Sequence, residues 1–484
     1  MRYISTRHGS QGNPAPLSFQ EVMLAGLARD GGLYLPESWP QFSRAEIAAL
    51  KGEPYAEVAF RVMRPFVGES FDERTFRRLI GEAYTSFETP EVAPLRPLGK
   101  DGLHLLELFH GPTLAFKDVA LQLLGRLLDH ALANRGQHAT IVGATSGDTG
   151  SAAIEAVRDR KTIDIFMLYP RGRVSEVQRR QMTTVLAPNV HNIAIQGTFD
   201  DCQDLAKACF NDLDFRDRHA LTAVNSINFA RVMAQIVYYF WAALKLGAPE
   251  RPVAFTVPTG NFGNVYAGYA ARQMGLPVSH FVVAANANDI LPRFFERGTM
   301  TATGVVPTLS PSMDIQISSN FERLLFDLYD RDGKVLAEAM AAFRKTGTLA
   351  VGANALGGVR DLFDAGRLDD PGTLQAIADC NRRFGETLDP HTAVGYAVAQ
   401  QHRRDPKVPM IVLATAHPAK FPDAVQKATG VRPPLPPRLD DLLDRTERAD
   451  RLPNDTAALK ALIDERMSAV RRTGRGSTRT KVRT

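Results

Sequence analysis

Short apolar runs alternate with helical stretches along most of this chain, and three of the junctions between them are rich in glycine or threonine. Ala139–Gly143 reads as a buried strand, followed by ATSGDTG and a helix from about Gly150. Thr162–Leu168, Val190–Ile195, Val253–Val257, Val278–Ala284 and Val408–Leu413 read as further strands, and Leu103–Phe109 is another short apolar run. Helical periodicity marks Leu114–Leu132, Val174–Val185, Phe199–Phe210, Phe229–Leu246 and a stretch from about Asn264. Such alternation builds parallel sheets through crossover helices, so the sequence predicts an α/β fold. Parallel sheets take ligands outside the carboxyl ends of their strands. ATSGDTG, PTGNFGN (Pro258–Asn264) and ATAHPAKF (Ala414–Phe421) all stand at such ends.

A chain of 484 residues is too long for one simple core and predicts two or three packed domains. Residues 1–95 read as a mostly helical N-terminal domain, with helices at Phe19–Arg29 and Tyr55–Phe66 split by DGGLYLPESWP. Residues 96–440 form the expected core, in two α/β subdomains of roughly 120–240 and 96–119 plus 241–440. PPLPPRLDD reads as a linker, and residues 441–484 as a C-terminal helix (Asp455–Val470) and a basic tail.

Composition narrows the class. With 44% hydrophobic and 23% charged residues the chain is ordinary for a globular protein. No apolar segment at the N-terminus resembles a secretory signal. Ile236–Leu244, the longest plainly apolar run, falls far short of the roughly 20 residues that span a membrane. Cys202, Cys209 and Cys380 make neither a CxxC pair nor a disulfide framework, which fits a cytoplasmic setting and inert buried thiols. The histidines show no metal-ligand spacing, so no metal is expected. The net charge of +5 comes from the last fourteen residues, which hold Arg471, Arg472, Arg475, Arg479, Lys481 and Arg483; less those six, the remainder carries −1. A frayed, solvated tail is the expectation, rather than a nucleic-acid-binding arm.

Four motifs carry chemistry. In FHGPTLAFKD (Phe109–Asp118) a lysine opens a helix after a Gly-Pro turn. There the positive end of the helix dipole favours a neutral amine, the nucleophile a Schiff base needs. The alternative is a solvated first-turn lysine. GATSGDTG (Gly143–Gly150) offers backbone amides and hydroxyls to an anion, or is a plain capped loop. Its glycines do not match GxGxxG, and no tyrosine stands four residues before a lysine, which argues against a nicotinamide dehydrogenase. PTGNFGN has glycines that admit close backbone approach to a phosphate, with Asn261 and Asn264 as donors or caps. ATAHPAKF ends a strand at Thr415, whose hydroxyl meets a ligand atom or caps the next turn.

In order and spacing these four motifs resemble the threonine synthase family in its longer bacterial and fungal form. ISTR, DGGLYLP and SSNFERLLF (Ser318–Phe326) resemble it too, over about residues 1–430. The resemblance implies the fold type II architecture of tryptophan-synthase β-like pyridoxal 5′-phosphate enzymes. It places the cofactor on Lys117, with Phe116 near its ring and Thr415 at its pyridine nitrogen. The 5′-phosphate falls to Gly260, Asn261, Phe262, Gly263 and Asn264. The implied reaction converts O-phospho-L-homoserine and water into L-threonine and phosphate, the last step of threonine biosynthesis, in a monomer or weak dimer. Thr145, Ser146, Asp148 and Thr149 are expected at the substrate carboxylate. Asn228, Arg231, Ser318, Ser319, Asn320 and Lys420 are candidates for the substrate phosphate, with Arg231 as a surface helix residue the alternative. A dehydratase or phospho-substrate lyase of the same fold stays open, because the cofactor motifs are shared.

Overall fold

The computed structural model describes residues 1–10, 12, 15–223 and 226–472. The basic tail beyond Arg472 lies outside them. The chain divides into two compact units, Met1–Ala120 with Ser226–Pro434, and Leu121–Asn225 with Leu435–Thr484.

The first unit is built on six strands in the order Phe363–Arg367, Val278–Ala285, Val253–Pro258, Met410–Ala414, Leu103–Glu107, Leu95–Pro97. Neighbours run parallel except the last pair. Val253–Pro258 and Met410–Ala414 are buried at every residue. A continuous apolar run is what a parallel strand covered on both faces requires. Register aligns Met410 with both Ala254 and Leu103, and Ala414 with Glu107. Three neighbouring strands therefore finish nearly level, and PTGNFGN, ATAHPAKF and FHGPTLAFKD leave from one edge. The helix Pro390–Gln401 packs Val394 and Val398 into the same apolar cluster as Ala254, Val282 and Val412.

Residues 1–95 belong to this unit. Helices Phe19–Ala25 and Arg44–Ala48 each begin with a reciprocal cap, Ser18 with Glu21 and Ser43 with Glu46, the kind of device worth about 1 kcal/mol. Tyr55–Val67 and Glu73–Tyr84 complete the helical part, while Tyr3–Ser5 pairs antiparallel with Tyr34–Pro36. A buried ion pair joins Arg7 to Glu322, 2.6 Å apart, and Thr6 donates to the same carboxylate at 2.7 Å.

The second unit holds five parallel strands in the order Asp450–Pro453, Val190–Gln196, Ile163–Pro170, Ala139–Ala144, Leu221–Thr222. The C-terminal helix, Thr456–Arg472, is part of its core: Leu459, Ile463 and Met467 pack with Phe166, Ile193, Cys202 and Cys209. All three cysteines are unpaired and buried. Burial pushes the thiols of Cys202 and Cys380 up to about 12 and that of Cys209 up to about 11, so they are inert as expected. Among the described residues no helix is long and apolar enough to cross a membrane, and no cluster suits a metal ion.

Candidate active site

Lys117 opens the helix Lys117–Asn134, as its sequence position predicts. The helix starts three residues later than the apolar pattern does. Leu114 takes a left-handed conformation (φ 63°) and Ala115 bridges to Ala416, so residues 114–116 lie along the threonine loop instead. The Phe116 amide donates to the Thr415 carbonyl at 2.9 Å, and the His417 amide to the Leu114 carbonyl at 3.0 Å. Asp118 shapes the turn before the lysine, accepting from the Thr113 amide at 2.8 Å and hydroxyl at 2.7 Å. A side chain at Gly111 would sit 2.4 Å from the Asp118 Cβ, which explains the glycine. Lys117 is 8% exposed, so a solvated surface lysine is excluded. Its Nζ stands 3.4 Å from the Ser312 hydroxyl and 5.2 Å from the Phe116 ring centre.

The PTGNFGN loop turns into the helix Gly263–Gln273 at Phe262, which holds φ 61°. A bulky residue there is strained. Packing pins it, since the ring is 1% exposed and meets Phe321 edge-on at 4.9 Å. Among the described residues no acceptor engages the backbone amides of Gly260 through Asn264. A run of such donors at a helix N-terminus is a phosphate cradle. The loop's side chains look elsewhere. Asn261 donates to the Ser226 hydroxyl and accepts from the Ser319 amide at 2.6 Å. The Asn264 side-chain oxygen accepts from Tyr238 at 2.5 Å and Tyr239 at 2.9 Å. Neither caps the helix, contrary to one of the two roles expected of them; any phosphate would be held by their amides.

Thr415 is 5% exposed, and among the described residues its hydroxyl makes no bond to protein. The following turn, Pro418–Lys420, is capped by His417, whose Nδ1 accepts from the Ala419 amide at 3.2 Å. The capping alternative for Thr415 is thereby removed.

Of the residues expected at the substrate phosphate, several make hydrogen bonds within the protein. Lys420 is fully buried and donates to the Thr113 carbonyl at 2.6 Å. Ser318 donates to the Gly260 carbonyl at 2.8 Å, and the Asn320 side chain binds the Ser226 carbonyl at 3.2 Å and accepts from Arg323. Ser319 is exposed, and its amide binds Asn261. Asn228 caps the helix Phe229–Lys245 through the Ala230 amide at 3.0 Å and donates to the Met23 carbonyl at 2.8 Å. SSNFER thus buttresses the glycine loop. Arg231 differs. It is 3% exposed, not a surface residue, and its Nε and Nη1 meet no protein acceptor among the described residues. Burial lowers its guanidinium to about 10, so it stays a cation at neutral pH. Arg323 is equally buried, yet it donates to the carbonyls of Tyr34 and Ile227. A buried cation without a counterpart is costly, so Arg231 suits an anion.

In the second unit the ATSGDTG loop leads into the helix Asp148–Val157. The Thr145 hydroxyl folds the loop by accepting from the Gly147 and Gly150 amides, each at 2.9 Å. Asp148 accepts from Gln178 at 2.8 Å, whereas Ser146 is exposed and Thr149 half-buried.

Ser312, Asp389, His391 and Thr392 were not foreseen. The Ser312 amide donates to His391 Nε2 at 3.2 Å, and His391 Nδ1 meets Asp389 at 2.8 Å. The signal available in sequence was the run DPHT, an N-cap acid followed by proline at the first helical position.

Models of known families match almost the whole chain: "Threonine synthase N terminus" over residues 2–84, "Pyridoxal-phosphate dependent enzyme" over 88–368, and "Threonine synthase, C-terminal" over 392–463. A threonine synthase from Pseudomonas aeruginosa is 57% identical, covering 96% of this chain and 98% of its own. The chain belongs to the threonine synthase family. One from Schizosaccharomyces pombe is 43% identical over 88% and 89% of the two chains. Among solved structures, the PLP-bound threonine synthase from Brucella melitensis superposes with a TM-score of 0.94 at 51% identity, over 96% of this chain and 99% of that one. The yeast enzyme gives 0.92 at 38%, over 97% and 99%. Family membership confirms the fold type II class and pyridoxal phosphate as cofactor. The C-terminal match extends the family's likeness past residue 430, where motifs alone had ended it. The site's chemistry fits the cofactor: a buried amine, a run of amides for a phosphate, and a hydroxyl for a ring nitrogen.

Proposed function

We propose that this chain converts O-phospho-L-homoserine and water into L-threonine and phosphate, with Lys117 holding the cofactor. The observation that carries the reading is the buried Lys117 amine on the edge of the sheet from which the amide-lined Gly260–Asn264 loop and Thr415 also leave. Bound pyridoxal phosphate supplies the electron sink for charge developing on the substrate carbons. Lys117 would hold the cofactor through its amine and, once that amine is released, would move protons at the substrate Cα and Cβ. Over the reaction the Cγ–O bond to phosphate breaks, a C–O bond forms at Cβ, and Cγ gains a proton to become the methyl group. The amides of Gly260, Asn261, Phe262, Gly263 and Asn264 hold the cofactor phosphate, Phe116 packs near the ring, and the Thr415 hydroxyl donates to the ring nitrogen. The substrate α-carboxylate suits Ser146 and Thr149 of the ATSGDTG loop, since the Thr145 and Gly147 amides already donate to the Leu168 carbonyl and the Thr145 hydroxyl. The substrate phosphate falls to Arg231, the buried guanidinium whose Nε and Nη1 meet no acceptor among the described residues.

Incubation with O-phospho-L-homoserine is expected to yield threonine and phosphate in equal amounts; 2-oxobutyrate as the main product would put the chain with the dehydratases. Arg231→Met, which keeps the aliphatic bulk, is expected to raise KM or lower kcat so that kcat/KM drops by about 10²-fold or more, close to 3 kcal/mol at 1.4 kcal/mol per decade. Cofactor affinity is expected to stay near the parent's. An unchanged kcat/KM would take Arg231 out of the site.

A further inference from the structure

One carboxylate stands behind two ends of this site. Asp389 is 1% exposed and caps the helix Pro390–Gln401, accepting from the amides of His391 at 2.9 Å and Thr392 at 3.2 Å. Capping alone would use only those amides. Asp389 also takes the side chains of the same two residues. Oδ1 lies 2.8 Å from His391 Nδ1, and Oδ2 accepts from the Thr392 hydroxyl. All three residues are at most 3% exposed, so water does not compete for these bonds.

Each arm continues. The Ser312 amide donates to His391 Nε2 at 3.2 Å. An amide can only donate, so Nε2 carries a lone pair and the ring's proton sits on Nδ1, facing Asp389. Phe421 packs on the ring at 4.8 Å and fixes its plane. The Ser312 hydroxyl then stands 3.4 Å from Lys117 Nζ, a long contact that depends on where the Ser312 backbone is held. On the other arm, the Thr415 amide donates to Thr392 Oγ1 at 3.1 Å.

We propose that Asp389, through His391 and Thr392, is the positioning residue that sets Ser312 against the Lys117 amine and Thr415 against the cofactor's ring nitrogen. The inference rests on the reading that Lys117 carries the cofactor and Thr415 meets its ring. Asp389, His391 and Thr392 act through Ser312 and Thr415, the residues to which they are bonded.

The test separates this from helix capping. Asp389→Ser keeps an N-cap hydroxyl but loses the carboxylate's second layer of bonds. Thr392→Val keeps shape and removes only the hydroxyl, and Thr392→Ser restores it. Holoenzyme spectra, steady-state kinetics, and thermal midpoints of the cofactor-free proteins are measured together. Asp389→Ser and Thr392→Val are expected to shift the absorption band of the bound cofactor. Their kcat should fall at least tenfold with KM within about threefold, and Thr392→Ser should return both band and kcat to near the parent's. The Thr392→Val midpoint is expected to stay near the parent's. Parent-like spectra and kcat in Asp389→Ser and Thr392→Val would overturn the inference. So would a fall in kcat that merely follows a fallen midpoint and that Thr392→Ser does not rescue. Borohydride reduction of the parent separates the two readings. Label on another lysine overturns both, whereas label on Lys117 beside parent-like variants overturns only this one.

Discussion

Lys117→Ala is expected to abolish turnover, with kcat down by at least about 10³-fold, because one substitution removes both the covalent hold on the cofactor and the group that moves protons. Borohydride reduction of the native enzyme, followed by peptide mapping, is expected to find the pyridoxyl group on Lys117. The environments of other lysines make this a sharp test. Lys420 is fully buried with its ammonium on the Thr113 carbonyl, and Lys207 lies exposed, 2.9 Å from Asp204. Lys420 stands in the threonine loop itself, but its ammonium is turned to the Thr113 carbonyl, and Lys207 belongs to the second unit. A pyridoxyl group on either would sink the assignment, as would a Lys117→Ala protein that retained more than a few per cent of the parent's rate.

Gly260→Ala is expected to weaken pyridoxal phosphate binding at least tenfold, about 1.4 kcal/mol. A Cβ at Gly260 would stand 2.8 Å from the Ser312 carbonyl oxygen and 3.0 Å from the Met313 Cα. Both are backbone atoms, so no side chain can swing aside. The amides proposed to hold the phosphate have to move, and Ser312 with them. Gly81→Ala is the matched control, because a Cβ there meets nothing within 4 Å; it is expected to leave cofactor affinity unchanged. Titrating cofactor-free protein with pyridoxal phosphate measures both. An affinity for Gly260→Ala within twofold of the parent's would show that the loop does not hold the phosphate.

Sequence alone determined the architecture and the position of the glycine and threonine loops, because both are written locally. Buried parallel strands read as mostly apolar runs, and Val253–Pro258, Val278–Ala285 and Met410–Ala414 fall where those runs do. Lys117 was legible because a helix start and a Gly-Pro turn are short-range features. The strand Asp450–Pro453 was not, since DRLP has no apolar run and owes its conformation to pairing with Val190–Gln196, more than 250 residues earlier. The parts played by single polar side chains were equally out of reach. Arg231 and Arg323 look alike in sequence, yet one finds backbone carbonyls brought in by Tyr34 and Ile227 while the other is buried with two of its nitrogens unengaged by protein among the described residues. Ser318 and Asn320 have the chemistry of phosphate ligands, and the fold uses them to hold the glycine loop. In sequence, the run DPHT could mark Asp389 only as a helix cap. Its reach to Ser312 and Thr415 exists because parallel strands bring the ends of distant segments to one edge. A hydrogen bond depends on that placement to within a few tenths of an ångström, which no local pattern encodes.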